Sequence, residues 1–313
     1  MAWEALLSPD VSGDSKAAFK ELLPVYDIDH VVYGRKFGII HKACLGLDST
    51  ITSLDALASL LRDSRPQINL ADATGRTALH WVAKKGDVQV AEALLRCGAD
   101  PNVVDSDFWT PLHFAVQSGS VETVASLVSA GAALHIKNRW GETALHINWP
   151  DIADHPRLAE VMMVGLRGNR LDTTDRLGQT PLHVAASHGN VGVLKIFLDR
   201  GAEIEARRTD GYSALALAVS WNMTAAAKFL LRSGAQSHVV NNHGHTLLHI
   251  VAMHGTIPVM KSMRGKLTVD VHAVDKDDKT AMDLLYKRFK DEKVDEEMAT
   301  ELAKVFRLLA NSA

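Results

Sequence analysis

Fifteen histidines among 313 residues make general acid–base and metal chemistry the first possibilities to weigh, because imidazole titrates near neutrality and binds transition metals. They fall into sets. His80, His113, His146, His183 and His249 each stand three residues after a threonine, and His238, His243 and His245 surround Asn241 and Asn242. The second set is expected on a hairpin whose tip residues point in different directions, and neither set has the spacing of a structural zinc site, His-Glu-x-x-His or paired Cys-x-x-Cys. His188, Tyr212, His245 and His254 could exchange protons if a closed pocket surrounded them. No Gly-x-Ser-x-Gly elbow is present, and Gly165-Leu166-Arg167-Gly168 has no following Lys-Ser or Lys-Thr to make a phosphate loop. Catalytic residues, metal ligands and cofactors are therefore expected to be absent, with a catalytic or small-molecule-binding groove at those four residues kept as a lesser alternative.

The elements that must hold these residues are copies of one small unit. Aligned on its Thr or Ser, the unit begins at Thr77, Thr110, Thr143, Thr180, Ser213, Thr246 and Thr280, in steps of 33, 33, 37, 33, 33 and 34. A period near 33 marks a stacked repeat architecture. In Thr110-Pro111-Leu112-His113 and Thr180-Pro181-Leu182-His183 the Thr suits a helix N-cap and the Pro suits the first helical position. A short Ala-rich helix follows, expected to end at Gly86, Gly119, Gly189 and Gly255 because glycine adopts positive φ cheaply. A second helix with apolar residues at helical spacing, such as Val193, Phe197 and Leu198, ends at Gly-Ala pairs like Gly201-Ala202. Polar Asp-x-x-Gly turns such as Asp72 to Gly75 then signal a hairpin.

Over roughly residues 70 to 290 this pattern resembles the ankyrin repeat family. The resemblance implies an all-α stack of helix-turn-helix units with projecting β-hairpin fingers, and tetrapeptide histidines that are buried and bonded to the backbone of adjacent turns. Three repeats depart from it. Asn148-Trp149-Pro150 replaces the small-residue segment of the third, which predicts a bend or bulge there. Ser213-Ala214-Leu215-Ala216 lacks the usual His, and Phe108 stands where the second finger would carry Gly. The boundaries read as an N-terminal cap with a degenerate first repeat at 1–71, an array at 72–290 with an irregular repeat at 138–174, and a capping helix at 291–313.

Ligands of the family usually lie in a concave groove lined by finger tips and the ends of the first helices. At the tip, just before each Thr or Ser, stand Arg76, Trp109, Glu142, Gln179, Tyr212, His245 and Lys279; before the closing Gly stand Lys85, Ser118, His188, Trp221 and His254. Equivalent positions form ladders with rungs about 10 Å apart. The expected partner-binding residues are Arg76, Lys85, Trp109, Trp140, His188, Tyr212, Trp221, His245 and His254, with Trp109, Trp140 and Trp221 as anchors because exposed aromatic rings dominate interface energetics. Lys84, Lys85 and Arg76 suit an acidic partner segment.

A charged fraction of 23%, a hydrophobic fraction of 47% and a net charge of −3 fit a soluble protein. With basic residues scattered over many repeats, nucleic acid is not an expected partner. No signal segment or membrane span is read, so a cytoplasmic or nuclear location is expected, and Cys44 and Cys97 read as ordinary thiols. The leading function is a non-catalytic scaffold that binds a protein or peptide. Self-assembly through the third repeat or the C-terminal helix is the other alternative.

Overall fold

The protein is described here from a computed structural model, over residues 41, 44–45, 68–147, 156–166, 171–238, 240–263, 270–291 and 296–310. The expected N-terminal cap, most of the degenerate first repeat and Asn148-Trp149-Pro150 with its predicted bend lie outside the described residues. The chain divides into two compact units, Met1–Arg139 and Trp140–Ala313.

The first unit carries α1 (Ala78–Lys85), α2 (Val88–Arg96), α3 (Pro111–Ser118) and α4 (Val121–Ser129). The second opens on a single 3-10 turn, Ala144–His146, and continues with α5 (Pro156–Gly165), α6 (Pro181–Ser187), α7 (Val191–Asp199), α8 (Ala214–Ser220), α9 (Thr224–Arg232), α10 (Leu247–His254), α11 (Ile257–Met263), α12 (Ala281–Asp291) and α13 (Glu296–Ala310). Within each unit the first helices pack on one another, α1 on α3 and α6 on α8 on α10 on α12, while α2 packs on α4 and α5, α7, α9, α11 and α13 follow in a second layer. This is the expected repeat stack.

Burial follows composition. The first helices are short and apolar on every side, and Ala78–Ala83, Pro111–Val116, Pro181–Ala186, Ala214–Val219 and Leu247–Ala252 are buried throughout. The second helices are amphipathic and bury one stripe, as α2 does with Val90, Ala91, Ala93 and Leu94. The fingers differ from the expected hairpins: among the described residues they have no strand ladder, only isolated antiparallel bridges at Arg207–Ser213 and Val274–Thr280. Hydrogen bonds from side chains shape them instead, as set out below.

Two turn positions depart from the sequence pattern. Gly255 closes α10 with extended backbone, φ −65° and ψ 139°, and not with the positive φ expected of it. Phe108 does the reverse. It adopts φ 61° at the place where Gly75, Gly141 and Gly178 sit, with its ring 55% exposed. A bulky residue in the left-handed region is strained by about 1–2 kcal/mol. Phe108→Gly is expected to stabilise the first unit by roughly 0.5–1 kcal/mol, the strain released less the extra entropy of an unfolded glycine. An unchanged or lower denaturation midpoint for the variant would contradict this.

Candidate functional site

The finger-tip and helix-end positions owe their geometry to two ladders of side chains. The first is histidine. In five repeats the Thr backbone N–H donates to Nδ1 of the His three residues on, at 3.0 Å from Thr77 to His80, 3.1 Å from Thr110 to His113 and from Thr180 to His183, and 3.2 Å from Thr143 to His146 and from Thr246 to His249. An Nδ1 that accepts leaves the ring proton on Nε2, and Nε2 donates it across to the next finger: His80 to the Trp109 carbonyl at 3.0 Å, His146 to Gln179 at 3.0 Å, His183 to Tyr212 at 3.2 Å and His249 to Lys279 at 3.0 Å. His41 does the same to Arg76 at 2.9 Å. His80, His146, His183 and His249 thus each cap their own helix and fix the backbone of the following tip residue.

A second proton on such a ring would fall on Nδ1 and break the Thr bond. Burial pulls His80 and His183 down to about 4, against the carbonyls of Trp109 and Tyr212, which favour charge. His41 is lowered for the same reason. These imidazoles are structural.

The second ladder is a carboxylate or amide five residues ahead of the Thr, which the sequence reading took only as the start of a turn. Asp105 Oδ1 accepts from the N–H groups of Asp107 and Trp109 at 2.9 Å each, Asp175 from Leu177 and Gln179 at 2.8 Å each, Asn241 from His243 and His245 at 2.9 Å each, and Asp275 from Asp277 and Lys279 at 2.9 Å each. Asp72 closes the first finger likewise and takes the Trp81 indole N–H on its other oxygen at 3.0 Å. The signal was present as an Asp or Asn recurring at 72, 105, 138, 175, 241 and 275, in register with the Thr. The repeat of α8 has neither device: Arg208 and Ala216 occupy the two positions. There Ser213 Oγ caps the helix by accepting from Ala216 N–H at 3.3 Å, and Asp210 accepts from Tyr212 N–H at 3.2 Å.

Against this frame the expected binding residues separate. In the first unit, Arg76 is drawn into the fold: its Nε binds Asp105 at 2.9 Å and its guanidinium lies 4.6 Å from the Phe114 ring centre and 5.2 Å from that of Trp81. Trp109 is half-buried, its ring 4.9 Å from Phe114 and 5.6 Å from His113. It is a packing group, so its truncation cannot leave stability untouched. Lys85 is exposed, 3.7 Å from Asp87.

In the second unit, Trp140 is 48% exposed on its finger. His188, Trp221 and His254 stand at the C-terminal ends of α6, α8 and α10, which pack side by side, and all three are exposed. Trp221 is the most open at 63%. Next to it Asn222, with φ 59°, donates to the His254 carbonyl at 2.9 Å and accepts from the Thr256 N–H at 2.8 Å, tying the end of α8 to the turn after α10. His188 Nδ1 lies 2.9 Å from the Val184 carbonyl. Tyr212 is half-buried, and burial raises its hydroxyl above the ordinary value.

The histidines of the sixth finger do not diverge as expected. The His243 and His245 rings stack at 5.6 Å and those of His245 and His249 at 5.9 Å, with His245 Nε2 3.4 Å from Asp275 Oδ2. Burial holds His245 below its ordinary value despite Asp275. Among the described residues no three His, Cys, Asp or Glu side chains converge as a metal centre requires. Cys44 is buried and its thiol is pushed up to about 12, which makes it unreactive.

Known proteins share this arrangement. A family model for ankyrin repeats, in three copies, matches residues 12–105, 40–138 and 153–241. The B-cell lymphoma 3 protein homolog of Mus musculus is 25% identical over 220 residues, which cover 70% of this chain and 41% of that protein. Transient receptor potential cation channel subfamily A member 1 of Homo sapiens is 29% identical over 212 residues, covering 66% of this chain and 19% of the channel. The chain thus spans less than half the length of these relatives. The solved ankyrin repeat domain of human ASB11 superposes with a TM-score of 0.61 at 20% identity, covering 74% of this chain and 98% of that domain. No described helix is long and apolar enough to cross a membrane.

Proposed function

The chain belongs to the ankyrin repeat family, and from that premise we infer that it is an interaction module without catalytic activity, holding a protein or peptide segment along the groove. The observation that carries this reading is the exposed row His188–Trp221–His254. A tryptophan 63% open to solvent satisfies no packing need of its own repeat, while the Asn222 bonds hold its backbone rigid. A rigid, exposed aromatic ring loses little entropy on binding and gains its full contact area. The catalytic alternative, at His188, Tyr212, His245 and His254, asks for a closed pocket, whereas His188 and His254 are exposed at helix ends and Tyr212 is half-buried on a finger.

The test compares wild type with the double variant Trp140→Ala, Trp221→Ala in affinity capture, with bound proteins identified by mass spectrometry. The variant is expected to lose a partner that wild type retains, with binding weakened by about 2 kcal/mol or more. Its thermal midpoint should stay within about 2 °C of wild type, since exposed side chains contribute little to stability. Full partner retention by the variant would overturn the reading, as would a metabolite in place of a protein in the capture.

A further inference from the structure

We propose that Arg208 is a carboxylate-binding site, which takes the side chain of an aspartate or glutamate in the partner segment on the finger that leads into α8. The proposal rests on the groove reading above and adds the charge of the segment that lies there.

Six of the seven fingers carry an Asp or Asn five residues ahead of the Thr or Ser, at 72, 105, 138, 175, 241 and 275, and the remaining one carries Arg208. The turn itself does not need the guanidinium. It closes through its backbone, with Arg208 N–H donating to the Tyr212 carbonyl at 3.0 Å and Gly211 N–H to the Arg208 carbonyl at 2.9 Å, and Asp210 accepts the Tyr212 N–H. Nor does the fold satisfy the guanidinium in return. Among the described residues its one ion-pair partner is Asp210, Nη2 to Oδ2 at 3.0 Å, while Nε is sealed from solvent and has no acceptor. A buried N–H left in this way lowers stability, and native structures keep few of them.

The second finger shows what the position can do. There the matching Asp105 is reached by Arg76, the tip residue of the finger before it, and the ion pair is complete. The corresponding tip residue ahead of Arg208 is Gln179, whose side-chain amide donates to Asp175 of its own finger at 3.1 Å. Arg208 therefore holds a positive charge at the level of the finger tips and receives no carboxylate from the finger beside it. Its side chain stays 21% exposed and that of Asp210 35% exposed, so the pair is within reach of a ligand. A planar guanidinium with free N–H groups suits a carboxylate better than any other common side-chain anion or amide. From this finger α8 runs seven residues to Trp221, roughly 10 Å. An extended peptide covers that distance in about three residues, so the acid and the apolar side chain that meets Trp221 belong about three positions apart.

Selection of a displayed library of random linear peptides on the full chain tests it. The peptides recovered are expected to carry Asp or Glu about three residues from an aromatic or aliphatic one, and a synthetic copy of the tightest should bind Arg208→Gln about tenfold or more weakly than wild type. Replacing the peptide's carboxylate by an amide should cost a similar factor in wild type and nothing further in Arg208→Gln, the mark of a direct contact. Arg208→Asn restores the acceptor that Asn241 supplies in the sixth finger. It should lose the peptide equally while its thermal midpoint rises by about 2 °C or more. A midpoint that falls instead would overturn the proposal by showing that the fold uses the guanidinium. Peptides that need Trp221 but lack an acid, or that ignore Arg208→Gln, would overturn the carboxylate site and leave the groove reading standing. A selection that yields no peptide dependent on Trp221 or Arg208 would overturn both.

Discussion

Between pH 6.5 and about 4 the protein is expected to lose on the order of 6 kcal/mol of folding stability through His80 and His183 alone, about 3 kcal/mol each. Both rings are neutral when folded, with values lowered from 6.5 to about 4 by burial. In that window the unfolded chain therefore binds more protons than the folded one, and stability falls as pH falls. Once both states are protonated, below about 4, these two residues contribute no further loss. A second phase belongs to the finger carboxylates. Burial would raise Asp72 and Asp275, but hydrogen bonds from Thr74, Arg76 and Trp81 to the one, and from Lys279 and Asp277 to the other, outweigh it and lower both. Their share is present above the ordinary aspartate value of 3.8 and disappears as pH drops through the lowered values. Urea titrations at pH 7, 6, 5 and 4.5 would show the first phase as a steady fall in midpoint, and a flat profile down to pH 5 would refute it.

Asp105→Ala is expected to cost about 3–5 kcal/mol, the range for breaking one partner out of a buried ion pair. One carboxylate oxygen holds the turn through the Asp107 and Trp109 N–H groups, and the other holds Arg76. The side chains of Arg76 and Asp105 are 17% and 1% exposed. Deleting the carboxylate strands a guanidinium between Trp81 and Phe114 and frees two N–H groups at once. Asp105→Asn keeps an acceptor for the turn but removes the charge, so it should fall between wild type and Asp105→Ala. Chemical denaturation of the three proteins decides the point; a loss below about 1 kcal/mol for the alanine variant would show that water replaces the carboxylate.

Much of this architecture was legible because it is periodic. The Thr-to-Thr steps of about 33 residues fix which helices stack, and the Thr-x-x-His spacing fixes the cap. What sequence could not supply is which side chains the stack consumes. Arg76 and Trp109 occupy the same ladder position in consecutive repeats, yet one pairs with Asp105 and the other lies on Phe114. The first outcome depends on a residue 29 positions away and the second on one five positions away, in the helix that the finger precedes. Trp221 stays open because its neighbours at the helix ends are His188 and His254, which do not cover it. The carboxylate ladder was visible as spacing but not as chemistry, since an Asp at a turn start has many uses. The sign of φ at Gly255 was misread because a glycine at a helix end permits the left-handed turn without requiring it.

The histidine bridge also bears on how the chain tolerates changes in length. His80 and His183 each reach a carbonyl 29 residues ahead, and His249 one 30 ahead, while His146 spans 33 residues to Gln179 and still closes at 3.0 Å. The four additional residues of that repeat therefore leave the ring-to-carbonyl link intact. A repeat that has the histidine carries one outgoing donor and one incoming acceptor. Gain or loss of an entire unit leaves the ledger of N–H and C=O groups balanced, whereas an excision within a unit orphans both. Duplication and deletion in steps of one repeat are thus the length changes that this lineage could accumulate most readily.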